Sequence, residues 1–264
     1  MIGKNQIDNL SEIKVDAINK PIIIYAFINP LSHTCWSLEP LIKKMVLEYG
    51  DYFTVRPVIS FGASSNEKKI KTSVSFLKQN LGLAIKAAGL QGNKVGRQFL
   101  QKIQEAYFFY DDDLLDENVM MTYASLLDLD LNEFSNDLYS HSAKKAYQAD
   151  LKLKKEMNIK ELPSLVFFSK HNEMHNLKIT GLANYNDYIY LLYKLLNKKI
   201  TPKKKPHLKS FLMEQSLLSL EDIAFIYDWT RDQTKVKLNE LKLTGDVEEL
   251  TILSRKYWTY KHKK

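Results

Sequence analysis

The chain has 264 residues, 45% of them apolar, and a single Cys. That length and apolar share fit one large or two ordinary globular domains and exclude global disorder. One Cys excludes an internal disulfide framework, a Cys-rich zinc site and a CxxC dithiol, and nine Gly leave little room for Gly-rich phosphate loops.

The formal charge of +7 is uneven. Residues 201–264 hold 13 Lys+Arg against 9 Asp+Glu, while the first 200 hold 25 against 22. The surplus sits in Lys203-Lys204-Lys205 and in the Lys261/Lys263/Lys264 tail. Such runs attract nucleic acid or acidic protein surfaces. The simpler expectation is solvated charge on a linker and a frayed end. Met1 to Lys20 is polar and lacks the apolar core of a secretory leader, and the Ile22–Ile28 run is far too short to span a bilayer. A soluble cytoplasmic protein without a membrane partner is expected.

Pro21 to Phe27 is apolar and β-branched, which predicts a buried strand. A turn follows at Asn29–Thr34. From Cys35 to Tyr49 apolar residues recur at three and four, predicting an amphipathic helix that Pro40 kinks and Gly50 stops. Tyr52–Ile59 reads as a second strand, completing a βαβ unit. Residues 61 to about 160 read as largely helical, with periodic segments at Lys68–Leu81, Leu83–Ala88, Lys94–Tyr107, Asp116–Leu127, Asn132–Ser140 and Ala143–Met157. Asp116 can cap the fourth, and Asp130 or Asn132 the fifth. Leu162–Phe168 is a strand entered through Pro163, Leu177–Thr180 a shorter one, and Tyr185–Leu196 a closing helix. The expected fold class is α/β, with a mixed sheet carrying a helical insertion over residues 1–200.

Asn197–Pro206 lacks apolar periodicity and reads as a basic linker, centred on residues 201–207. Beyond it, Leu208–Gln215, Leu220–Tyr227 and Thr230–Leu241 are predicted helices. Ser219 with Asp222 and Thr230 with Gln233 form capping boxes. With a hairpin in Leu243–Tyr260, residues 208–264 read as a winged-helix-like module.

Two reactive positions three apart at a helix start, after a strand and a tight turn, are how thioredoxin-like proteins present a CxxC motif. There the helix N-terminus stabilises a thiolate. Leu162-Pro163 before a strand fits the cis-proline of that fold. The element order resembles the DsbA-like subgroup. More specifically, Phe27-Ile-Asn-Pro-Leu-Ser-His-Thr-Cys-Trp-Ser-Leu-Glu-Pro40, Lys86-Ala-Ala-Gly-Leu-Gln-Gly92 and Leu162-Pro-Ser-Leu-Val-Phe-Phe168 resemble the SpxH (YjbH) family along nearly the whole chain. These are cytosolic adapters of low-GC Gram-positive bacteria. The resemblance implies binding of the thioredoxin-fold regulator Spx and its presentation to the ClpXP protease, directly or through Spx alone.

The motif here is degenerate: Ser32-His33-Thr34-Cys35, with Pro163 opposite. Thiol–disulfide exchange needs a low-pKa thiolate as the attacking group. A serine hydroxyl is not ionised near neutral pH and forms no mixed disulfide. No enzymatic activity is therefore expected. The alternative is a monothiol redox or stress sensor using Cys35. Some family members hold zinc near the N-terminus, but no His or Cys precedes His33, so that property does not carry over.

Other candidates are weaker. His33 and Cys35 supply two ligands where a structural zinc needs four, so no metal or other cofactor is expected. Ser32 lacks a nucleophile elbow and suits an N-cap. The Lys86–Gly96 glycines follow a helix rather than a strand, unlike a phosphate cradle. Tyr107-Phe108-Phe109-Tyr110 beside Asp111–Asp113 is either core packing or a contact patch for a basic partner helix. Arg231, Lys235 and Lys237 would face DNA in a winged helix, but Asp232 and Glu240 offset them and Glu248 and Glu249 would repel phosphate. Nucleic acid is not an expected partner.

Overall fold

β1 (Ile22–Ile28) is the centre of the larger sheet. Its even-numbered residues Ile22, Ile24 and Ala26 enter one core and Phe27 enters another on the opposite face, as strand alternation requires. The computed structural model describes residues 20–61, 72–110, 112–170 and 176–261. β2 (Phe53–Ile59) lies parallel to β1, with Ile22 opposite Phe53. β3 (Ser164–Ser169) runs antiparallel on its other side, with Phe27 opposite Ser164, and β4 (Asn176–Thr180) pairs antiparallel with β3. The strand order is β2-β1-β3-β4.

The single helix expected from Cys35 to Tyr49 is two pieces, α1 (His33–Trp36) and α2 (Glu39–Tyr49). Pro40 lies in the first turn of α2. A continuous helix would press its ring against the Trp36 carbonyl and lose a hydrogen bond there, so the chain breaks at Ser37-Leu38 and restarts.

The insertion comprises α3 (Thr72–Leu90), α4 (Asn93–Glu105), a π-helical turn at Ala106–Tyr110, α5 (Glu117–Ser125), α6 (Leu131–Leu138) and α7 (His141–Glu156). The segments expected to part at Gly82 form one helix, α3. A Cβ at Gly82 would stand 2.7 Å from the Tyr147 ring of α7, so this glycine serves a close approach and not a helix end. Likewise a Cβ at Gly96 would stand 2.7 Å from the Gly89 Cα, where α3 and α4 meet. Asp116 caps α5 through the Asn118 N–H, and Asp130, rather than Asn132, caps α6 through the Glu133 N–H. The expected helix start at Lys68, Asp111, His171, His175 and the Lys263-Lys264 end lie outside the described residues.

Gln104 of α4 is buried, and neither polar atom of its side chain has a partner among the described residues. An unmade buried hydrogen bond costs the desolvation of that group. Gln104→Met, similar in length and apolar, is expected to raise unfolding stability by about 1–3 kcal/mol. Urea denaturation checks this, and an unchanged or lower midpoint contradicts it.

α8 (Tyr185–Leu196) closes the first part under an Asn184/Asp187 capping box. The segment expected as a solvated linker is mostly exposed but is tied down at several points. Ile200 is buried, the Lys203 N–H donates to the Glu48 carbonyl at 2.8 Å, and Lys205 reaches Glu48 at 2.8 Å and also pairs with Asp228. The lysines are held because α2 and the following helices present carboxylates to them.

The last part consists of α9 (Leu208–Leu212), β5 (Leu218–Ser219), α10 (Leu220–Tyr227), α11 (Arg231–Leu243), β6 (Val247–Ile252) and β7 (Arg255–Tyr260). Its sheet order is β5-β7-β6, antiparallel throughout. Both capping boxes are formed. Leu212, Ile223, Ile226, Leu238 and Trp258 make its core, to which Leu47 of α2 contributes from the other part.

Candidate functional site

The turn between β1 and α1 carries the degenerate motif. Ser32 is the N-cap of α1, and its Oγ accepts from the Cys35 N–H at 3.4 Å. Asn29 shapes the turn from both sides: its Oδ1 accepts from the Leu31 N–H at 3.0 Å, and its own N–H donates to Cys35 Sγ at 3.3 Å. The Leu162–Pro163 bond is cis. Because Ser164 lies opposite Phe27, the next step along the register sets Pro163 beside the end of β1 that feeds the turn.

Cys35 is only 2% exposed. Burial pushes its thiol up, and the hydrogen bonds from Asn29 and Ser32 only partly offset this. An electropositive, accessible setting would make a reactive thiolate; the setting here keeps the proton on sulfur.

Aromatic rings pack against one side of the turn, while His33 and Thr34 stay exposed. The Ala106–Tyr110 π-helical segment lays Phe108 on His33, with ring centroids 4.3 Å apart, and on Trp36 at 5.8 Å. Phe109 meets Trp36 edge-on at 5.7 Å and continues to Tyr257 of β7 at 4.7 Å. Thus the four-residue aromatic run splits. Phe108 is buried and Phe109 half-buried over the motif, whereas Tyr107 and Tyr110 are exposed. Of the predicted motif residues, Ser32, His33, Thr34 and Cys35 lie at this turn, His33 and Thr34 exposed and Cys35 buried, and Pro163 borders it through the sheet. Among the described residues, no three His, Cys, Asp or Glu side chains cluster so as to hold a metal ion.

A second constellation escaped the sequence reading. Lys44 and Glu48 of α2 are buried, at 5% and 7% exposure. Lys44 pairs with Asp228 and lies over the rings of Tyr185 and Phe225, at 4.7 and 4.9 Å from their centroids. Glu48 accepts from the Tyr185 hydroxyl at 2.6 Å and from Lys205 at 2.8 Å. The carboxylate pushes the tyrosine hydroxyl further up after burial has already done so. The only local signal was an oppositely charged i,i+4 pair on an amphipathic helix, which ordinarily faces water.

A family profile described as Thioredoxin matches residues 25–190. The ClpXP adapter protein SpxH of a Bacillus cereus strain is 34% identical over 271 aligned residues, which cover 92% of this chain and 91% of the relative. The chain belongs to the SpxH family. The SpxH of Bacillus subtilis (strain 168) is 33% identical, covering 90% and 89%. Among solved structures, a putative protein disulfide isomerase from Nitrosomonas europaea superposes with TM-score 0.53 at 17% identity, over 67% of this chain and 96% of that one. The oxidoreductase DsbA from Xylella fastidiosa does so with TM-score 0.53 at 12% identity, over 69% and 89%. The SpxH-family chain therefore has the expected thioredoxin-like, DsbA-type fold.

Proposed function

We propose that this protein is a cytoplasmic adapter that binds Spx and promotes its degradation by ClpXP, without dithiol chemistry. Full-length similarity to proteins named ClpXP adapter protein SpxH supports the role. The observation that carries the non-enzymatic part is the state of the motif. An alcohol stands at the attacking position, and the remaining sulfur is buried, with its thiol pushed up by that burial. The same burial weighs against Cys35 as a stress sensor. The helices and the β5-β7-β6 sheet within residues 208–261 support the reading of the last part as a winged-helix-like module. Its Arg231, Lys237 and Lys242 are paired with Glu221, Glu240 and Glu249, which supports a protein-contact role over DNA reading.

An adapter acts by differential binding: it favours the client conformation in which the degradation signal is engaged. If it also touches the protease, it raises the client's effective concentration there. No helix among the described residues is long and apolar enough to cross a membrane. The test is Spx degradation by purified ClpXP with and without the protein. Acceleration that rises with adapter concentration and is unchanged by Cys35→Ala is expected. No acceleration overturns the adapter role, and loss with Cys35→Ala restores the thiol reading.

A further inference from the structure

Between Lys102 and Lys144 the sequence has ten acidic residues and no Lys or Arg, in a chain whose overall charge is +7. Acids alone would keep such a surface solvated. The large apolar side chains standing exposed among them are what solvation does not account for. Tyr107, Tyr110, Leu115 and Tyr139 are each between 41% and 49% exposed.

These groups form one surface around the start of α5. The Tyr123 hydroxyl donates to Asp112, and the Tyr110 hydroxyl is pushed up by burial and then by Glu105 and Asp112, so these four groups adjoin. On the other side, Asp113 accepts from the Leu115 N–H at 2.9 Å, Asp116 caps α5, and the Tyr139 hydroxyl donates to Glu117, tying the end of α6 to the same corner. The π-helical turn creates the outward half of this surface. Phe108 and Phe109 turn onto the motif while Tyr107, its ring edge-on to Phe108 at 5.0 Å, and Tyr110 stay exposed. The hydrogen bond to Glu117 fixes the Tyr139 ring before any partner arrives, which lowers the entropy lost on docking.

We propose that the surface formed by Tyr107, Tyr110, Leu115 and Tyr139, ringed by Asp112, Asp113 and Glu117, docks a Lys/Arg-rich amphipathic helix of the delivered client. The apolar stripe of such a helix meets the exposed tyrosines and Leu115, and its flanking cations meet the carboxylates. The assignment of the helix to the client rests on the adapter reading; the chemistry of the surface does not.

The experiment titrates the full-length protein with purified Spx, and separately with a synthetic amphipathic helix of Leu and Lys and with its charge-neutral Leu/Gln counterpart. It compares Asp113→Lys/Glu117→Lys and Tyr110→Ser/Leu115→Ser, with Tyr190→Ser/Tyr193→Ser, exposed on α8 and outside the patch, as the control. Thermal melts establish that each variant is folded. Both patch variants are expected to bind Spx and the Leu/Lys helix about tenfold or more weakly, and the charge variant to lose most of the salt dependence, while the control binds as wild type. Wild-type affinity in both patch variants overturns the proposal, as does equal affinity for the Leu/Lys and Leu/Gln helices. If the Leu/Lys helix binds as expected but Spx does not, the surface stands and the adapter reading fails, so the client assignment is withdrawn. Sedimentation that shows a wild-type dimer dissolved by the charge variant assigns the surface to a second copy and overturns the client helix.

Discussion

Replacing Glu48 with Ala is expected to destabilise the full chain by about 3 kcal/mol, because it leaves the half-buried Tyr185 hydroxyl without its acceptor and Lys205 with Asp228 alone. Lys205 loses a carboxylate 2.8 Å away in a largely buried position, and the Tyr185 hydroxyl loses its acceptor. Lys44→Met should cost clearly less. Its partner Asp228 is 61% exposed and rehydrates, and Met fills the space over Tyr185 and Phe225. Urea unfolding of the two variants tests this ordering, and a Glu48→Ala loss below about 1 kcal/mol, the range of surface ion pairs, contradicts it. Acid should act at the same place. Burial pushes the Asp228 carboxyl up, but hydrogen bonds from Lys205 and Lys44 outweigh it and hold the group below its usual value. A depressed carboxyl contributes fully above its unfolded value of about 4, and the contribution is lost as pH falls through the folded value. Hydrogen-exchange protection of α10 should therefore fail in acid before that of β1.

Phe108→Ala is expected to cost about 3 kcal/mol, as for a buried phenyl whose cavity does not collapse, and to open the path to Cys35. The ring packs against His33 and Trp36, the residues that flank Cys35 in α1. Iodoacetamide labelling of Cys35 under native conditions should accelerate at least about tenfold, and Phe108→Leu, which keeps most of the volume, should label at an intermediate rate. Native labelling as slow in Phe108→Ala as in the wild type would mean that burial by β1 and α1, and not the aromatic cover, protects the sulfur.

What the sequence disclosed follows from how local each determinant is. β1, the turn, the Ser32 cap, Asp116 and the two later capping boxes depend on residues at most a few positions apart, and all are found. Pro163 was legible because a proline before an apolar strand is itself a local signal. Gly82 was misread because its role is set by Tyr147 on another helix, and a glycine in a row of apolar residues looks the same whether it ends a helix or admits a ring. The break at Ser37-Leu38 was anticipated in kind but not in extent. Nothing local marks Lys44 and Glu48 as buried, because the groups that cover them lie 184 and 137 residues away. The aromatic run was noticed, but only a π-helical turn divides it into two inward and two outward residues, and no spacing rule announces that turn.

The fastening of α10 and the lysine segment to α2 governs how the molecule can be dissected. Trimming the polypeptide after residue 207 would unroof Leu47 and leave the Lys44 ammonium without Asp228. It would also leave the Phe109 ring without Tyr257. Such a stub would present a raw, greasy face beside an orphaned cation, and poor behaviour of it in solution would report that wound rather than any duty of the missing piece.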